Sequence, residues 1–151
     1  MTPREKFATA DAIFDGRLRG NQAMLSGLRL TPDEARLLWA SPRIQEVSWL
    51  DLDDNALGDA GIAELAECEA LANVQYLNLN KNGVTDLGLQ KLAQSKILTK
   101  LKRLHLKDNA ITGSGIVALF ESQSLEGLAT FQVNDGWTCK KREGWRYNPQ
   151  G

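Results

Sequence analysis

Three stretches, "VSWLDLDDNAL" at Val47 to Leu57, "VQYLNLNKNGV" at Val74 to Val84 and "LKRLHLKDNAI" at Leu101 to Ile111, share one frame of apolar residues around a single asparagine. Asn55, Asn82 and Asn109 fall 27 residues apart. The columns Val47/Val74/Leu101, Leu50/Leu77/Leu104, Leu52/Leu79/Leu106 and Leu57/Val84/Ile111 keep the same interval. A fixed period of this length constrains the fold strongly, because one such unit cannot bury its apolar face alone and must stack on the next. Within a unit the hydrophobic period changes. Before the asparagine it alternates, which predicts a strand; after it, Ile62/Leu65, Leu89/Leu92 and Ile116/Leu119, followed by Ala66, Ala93 and Phe120, keep the spacing of one helix face. Gly61, Gly88 and Gly115 share a helical register in which a missing side chain lets neighbouring elements approach. Thr85 and Thr112 stand where helix N-caps are expected, and Leu71, Leu98 and Leu125 close each unit.

With the frame LxxLxLxxNxL matched at all three stretches, the sequence resembles the leucine-rich repeat family. The segments "GIAELA", "GLQKLA" and "GIVALF" look like its ribonuclease-inhibitor-type subclass. The resemblance implies an α/β fold: a short solenoid with a parallel concave sheet, convex helices, an N-terminal helical cap and a C-terminal cap. One domain over 1–151 is expected, with full repeats at 47–73, 74–100 and 101–127.

One period earlier, Gly20, Ala23, Leu25, Leu30, Leu38 and Ile44 occupy the apolar positions and Leu28 replaces the asparagine, so 20–46 reads as a degenerate repeat. "TPDE" places Thr31 at a cap, Pro32 at the first helical position and Glu34 three residues on, the signature of a capping box. "TPRE" at Thr2 to Glu5 repeats that logic, and Phe7, Ala10 and Phe14 extend it to a helix over 3–15 inside a cap at 1–19. One period later, Leu128, Phe131 and Val133 give a last strand, but Gly136 stands in place of the asparagine. Residues 128–151 are therefore expected to form a strand and a cap, with "GWTCKKREGWRYNPQG" as an apolar lid. Atypical segments at both ends lead to the expectation of a complete small protein.

The formal net charge is -1, from 18 basic and 19 acidic residues, which gives no general attraction to nucleic acid or to an anionic membrane. No apolar run is long enough for a span, and "MTPREKFATADAIFDG" lacks the core of a secretory signal, so a cytoplasmic protein is expected. Cys68 and Cys139 lack metal-site spacing and are expected to be free thiols. His105, the single histidine, has no serine or cysteine beside it in the repeat register, and no lysine-bearing phosphate loop occurs. No catalytic residues, metal site or cofactor are expected.

The period of two sends the residues between the leucines to the other face of the sheet. These are Trp49, Asp51 and Asp53 in one strand, Tyr76, Asn78 and Asn80 in the next, and Arg103, His105 and Lys107 in the third. Gln22, Met24 and Ser26 flank them on one side, and Thr130, Gln132 and Asn134 on the other. Parallel strands about 4.8 Å apart would align Trp49, Tyr76 and Arg103 in a column, with a cation–π contact between Tyr76 and Arg103. Aspartates would then lie opposite His105 and Lys107 across the asparagines. Aromatic residues and arginine with a polar rim make up interaction hot spots. Asn55, Asn82 and Asn109 are instead expected to satisfy backbone groups inside the turn.

The expected function is a non-catalytic protein–protein interaction module that binds a protein partner through the concave sheet. The alternatives are a self-associating scaffold, possible as a homodimer, or a regulator of a partner enzyme such as a small GTPase.

Overall fold

A computed structural model of the chain describes residues 6–133, 137–140 and 144–147. Each leucine frame becomes a short strand: β2 (Gln22–Met24), β3 (Trp49–Asp51), β4 (Tyr76–Asn78), β5 (Arg103–His105) and β6 (Thr130–Gln132). These pair in parallel in chain order, in a register that aligns Ala23, Leu50, Leu77, Leu104 and Phe131. β1 (Leu18–Arg19) adds antiparallel to β2, and β7 (Trp137–Lys140) and β8 (Gly144–Tyr147) add antiparallel beyond β6.

Helices follow the parallel strands: α2 (Pro32–Trp39) after β2, α3 (Gly58–Ala66) after β3, α4 (Asp86–Ala93) after β4 and α5 (Gly113–Phe120) after β5. The result is an α/β repeat fold. Its core is the set of leucine columns themselves. Leu50, Leu52, Leu65, Leu77, Leu79, Leu92, Leu104, Leu106 and Leu119 are all fully buried, each contributing about 1.5–3 kcal/mol of hydrophobic stabilisation.

The asparagines form the expected ladder in full at Asn55 and Asn109; Asn82 donates through Nδ2 to the carbonyls of Leu52 and Asn80, but its Oδ1 accepts from no described residue. Asn109 Nδ2 donates to the carbonyls of Leu79 and Leu106, while its Oδ1 accepts from the amides of Asn82 and Val84. Asn55 does the same between Leu25, Leu52 and the Leu30 amide. These bonds hold a turn in which Asp54, Lys81 and Asp108 adopt positive φ of 56°, 54° and 58°, a conformation that L residues adopt only when their surroundings impose it.

A second ladder runs along the helix starts. Asp59 Oδ1 accepts from the amides of Thr85 at 2.8 Å and Gly88 at 3.1 Å, and Oδ2 accepts from the Thr85 hydroxyl at 2.5 Å. Asp86 repeats this one unit on, accepting from the amide and hydroxyl of Thr112. The glycine column has its physical cause here: a Cβ on Gly88 or Gly115 would collide with Oδ1 of Asp59 or Asp86. Gly61 is crowded instead by Leu57 Cβ. Thr85 caps α4 by accepting from Leu87, whereas the Thr112 side chain accepts no cap bond, its hydroxyl being donated to Asp86.

The capping box at Thr31 is present, with Pro32 opening α2. Glu34 is fully buried and does more than close that box. Its carboxylate also accepts from the backbone amides of Lys6 and Phe7 and pairs with the Lys6 ammonium, tying the N-terminal segment to α2. Burial pushes its pKa up, but bonds from Thr31, Lys6 and Phe7 outweigh this and hold it below the usual carboxylate range.

At the ends the sequence expectation needs correction. The helix expected over 3–15 is α1, Ala10–Phe14, capped by Thr9, so the region 1–19 is only partly helical and also contributes β1. Gly20 does not stand in a strand: with φ of 59° it turns β1 back on β2. Thr2 to Glu5, Asn134, Gly136 and the side-chain packing expected of Trp137, Trp145 and Tyr147 lie outside the described residues.

Candidate functional site

On the face of the sheet turned away from the helices, strand pairing aligns Trp49 with Tyr76 and Arg103, and Asp51 with Asn78 and His105. All lie in β3, β4 and β5, where the inward leucines fix which residues point out. Trp49 is 36% exposed and its ring stacks on Tyr76 with centroids 3.8 Å apart and planes at 17°. Met24, paired with Asp51 from β2, is 43% exposed.

Tyr76 does not make the expected cation–π contact with Arg103. Its second ring neighbour is His105, at 5.1 Å and 58°. Side chains in strands lean along the strand, so an aromatic ring reaches the diagonal residue as readily as the one directly opposite. Among the described residues the guanidinium–ring contacts are Arg17 over Phe7 and Arg43 over Phe14, away from this face.

The polar residues divide their roles. Asp51 Oδ1 accepts from the Asp53 amide, Asn78 Oδ1 from the Asn80 amide, and Asn80 Oδ1 from the Lys107 amide. Asn78 is buried, so most of its surface serves the strand exit. Asp53 Oδ1 is buried and accepts no hydrogen bond from the described residues. Burial, and next the charge of Asp51, raise the Asp53 carboxyl above the usual range. The Tyr76 phenol is raised by burial and by the same aspartates. His105 is lowered by burial, then by Lys107 and Arg103, which leaves a neutral imidazole at pH 7. The acidic residues Asp51 and Asp53 lie on the β3 side of the face and the basic residues Arg103 and Lys107 on the β5 side. Among the described residues no group of three or more His, Cys, Asp or Glu side chains converges as a metal site.

A family model described as Leucine Rich repeat matches residues 50–66, 70–93 and 98–120. These three segments are similar to leucine-rich repeats. The matched repeats carry Asp51, Asp53, Tyr76, Asn78, Asn80, Arg103, His105 and Lys107, and Trp49 lies immediately before the first. Leucine-rich repeats are generally protein–protein interaction modules, and the family is generally non-catalytic. No curated protein matches the chain. Among the described residues no helix is long and apolar enough to cross a membrane.

Sequence reasoning did not single out Asp59 and Asp86, which set the helix spacing behind the site. The signal is an aspartate in the first turn of one helix combined with a glycine in the next, Asp59 with Gly88 and Asp86 with Gly115.

Proposed function

We propose that this chain is a non-catalytic interaction module that binds a protein partner on the outer face of its sheet, centred on Trp49, Tyr76 and Arg103. The carrying observation is the exposed Trp49 stacked on Tyr76, in one row with Arg103, on a face the core does not need. Such a face fits interface hot spots, which are enriched in tryptophan, tyrosine and arginine. Asp51, Asp53, Asn80, His105 and Lys107 form its rim, with the buried Asn78 between them. In this reading 1–151 is one short solenoid domain of ribonuclease-inhibitor-like repeats. Its sheet is concave, and its caps are the segment tied down by Glu34 and the antiparallel strands after β6. The 27-residue unit and the full helices α3 and α4 support that subclass. A cytoplasmic location belongs to the same proposal and suits the free Cys68 thiol.

The test compares wild type with a Trp49→Ser, Arg103→Glu double variant in a pull-down from native lysate, after circular dichroism shows both folded. A protein retained by wild type and lost by the variant supports the reading. Equal capture by both moves the site off this face.

A further inference from the structure

The last unit of a stack is expected to turn a polar face to solvent, and α5 does not. In α4 the flank that meets the next unit consists of Asp86, Leu89 and Ala93. Asp86 accepts from Thr112, a Cβ on Gly115 would stand 3.0 Å from Leu89, and the Ala93 carbonyl accepts from the Ser122 hydroxyl. Leu89 and Ala93 are buried as a result, like Ile62 and Ala66 on the same flank of α3. One unit on, the flank is Gly113, Ile116 and Phe120, and among the described residues no helix follows β6 to cover it. Ile116 is only partly buried, Phe120 is 44% exposed and the adjacent Val117 is 51% exposed.

This flank is apolar, yet it is not built for another repeat. Glycine replaces the aspartate that receives the next helix start, and phenylalanine replaces the alanine that admits its close approach. The chain after β6 runs through β7 and β8, and its residues from 134 onward outside those strands occur in runs of three or four, too short for a covering helix.

Two properties of α5 fit a second copy of itself. Gly113–Phe120 carries no charged residue, whereas α2, α3 and α4 each carry two or more, so two α5 helices can meet without like charges opposed. Its relief is also self-complementary. Gly113 and Phe120 lie two helical turns apart, about 10 Å along the axis. A Cβ on Gly113 would meet nothing within 4 Å, so the flank has open space at its start and an exposed ring at its end. Ile116 and Val117 stand at the midpoint, and a second α5 turned end over end about them sets each Phe120 over the other copy's Gly113.

We propose that a second copy of this chain covers the flank, with α5 packed antiparallel on α5 about a two-fold axis at Ile116 and Val117. Such a contact is isologous, the large residue of each copy meeting the small residue of the other. It is also small. An eight-residue helix is about 12 Å long, so the contact falls well below the ~800 Å² per partner of a standard interface, and the dimer is weak and concentration-dependent. The outer face of the sheet takes no part in it, so the dimer carries that face twice.

Sedimentation equilibrium of the full chain over roughly 10 μM to 1 mM is expected to show a reversible monomer–dimer equilibrium. Phe120→Ala removes the ring and Gly113→Leu fills the space it enters, and each should raise the dissociation constant about tenfold or more. The two combined should recover part of that loss, because the leucine then occupies the space of the missing ring. Val117→Glu opposes two carboxylates near the axis and should abolish the dimer with the circular dichroism spectrum unchanged. A monomer at every concentration would overturn the proposal and leave the flank to a different partner. Strictly additive effects of Phe120→Ala and Gly113→Leu, or a dimer that Val117→Glu leaves intact, would also overturn it. So would a dimer that the Trp49→Ser, Arg103→Glu variant dissociates, since the copies would then meet through the sheet.

Discussion

The joint between α2 and α3 is built on the same leucine frame as the joints from α3 to α4 and from α4 to α5, yet different chemistry holds it. In the later joints an aspartate of one helix accepts from the first turn of the next: Asp59 at Thr85 and Gly88, Asp86 at Thr112. A serine at the far end donates to the preceding helix, Ser95 to Ala66 and Ser122 to Ala93, both at 2.6 Å. In the first joint Pro32 takes the aspartate position and Gly58, with φ of 61°, takes the threonine position. α3 consequently begins one residue early relative to its neighbours, without a side-chain cap. Asn82 Oδ1, whose counterpart in Asn109 bonds the Val84 amide, is left unpartnered there. Cys68 replaces the serine and its sulfur reaches the Trp39 carbonyl only at 3.7 Å. What remains is an exposed pairing of Arg36 with Glu64. Leucines thus decide that the units stack, and small polar residues decide how tightly each pair is fixed.

The contrast can be broken most directly at Asp59. Asp59→Ala leaves the Thr85 and Gly88 amides and the Thr85 hydroxyl without an acceptor, and is expected to cost about 3 kcal/mol in urea unfolding. A loss no larger than that of an exposed substitution would show that water replaces the carboxylate and that the later joints are not special. Gly88→Ala should cost about 2 kcal/mol, because the added Cβ meets Asp59 and also Val84 at 3.1 Å. Gly113→Ala is the control: a Cβ there meets nothing within 4 Å, so the helix should gain up to about 1 kcal/mol. Equal behaviour of the two glycine variants would deny the close approach.

Why the sequence revealed the stacking and not the joints follows from these residues. A leucine column recurs in every unit because the core demands the same volume each time, and Leu50, Leu77 and Leu104 are readable from their interval alone. The outward row is legible in the same alternation, which places Trp49, Tyr76 and Arg103 in one line, as strand pairing does. The aspartate register holds Pro32, Asp59, Asp86 and Gly113, so no column announces it. Its meaning appears only when the glycine of the following helix is seen against it. The lean of Tyr76 toward His105 was equally hidden, since pairing fixes Cα positions and not the rotamer. The same holds at the ends, where the repeat stops. There β1, β7 and β8 run antiparallel, and no period encodes them.

Acid should separate the joints more gently. Burial raises the Asp86 carboxyl, but bonds from the Thr112 hydroxyl and amide and from Gly115 outweigh this and hold it below the ordinary range. A carboxyl depressed in the folded state contributes stability above its unfolded value of about 3.9 and loses it as pH falls below that, through the folded value. Asp86→Asn should therefore flatten the acid limb of a stability–pH curve relative to wild type. An unchanged acid limb would mean that the bonds to Thr112 do not distinguish the charged form.

At the first joint a substitution should strengthen the contact. Burial raises the Cys68 thiol above its ordinary pKa, so it is a weak donor held at a long distance. Cys68→Ser installs the hydroxyl that Ser95 and Ser122 use, and should raise stability by about 0.5–1 kcal/mol. Destabilisation would mean that the helices at this joint stand too far apart for the shorter bond, which would make the difference between the joints one of backbone spacing and not of side chain.

The smallest effect is expected where the charges are most conspicuous. Arg36 donates to Glu64 through Nε and Nη2 and also pairs with Asp33, and these carboxylates lie at the surface. Glu64, then Asp33, raise the Arg36 pKa, but the guanidinium is charged at every relevant pH with or without them, so the shift carries no pH dependence. Solvent screens such a pair, and ordering two long side chains offsets much of what remains. Arg36→Ala is accordingly expected to leave the unfolding midpoint unchanged within error, in low and in high salt. A clear loss that salt abolishes would place the strength of the first joint in this ion pair. The two kinds of joint would then differ in mechanism but not in strength.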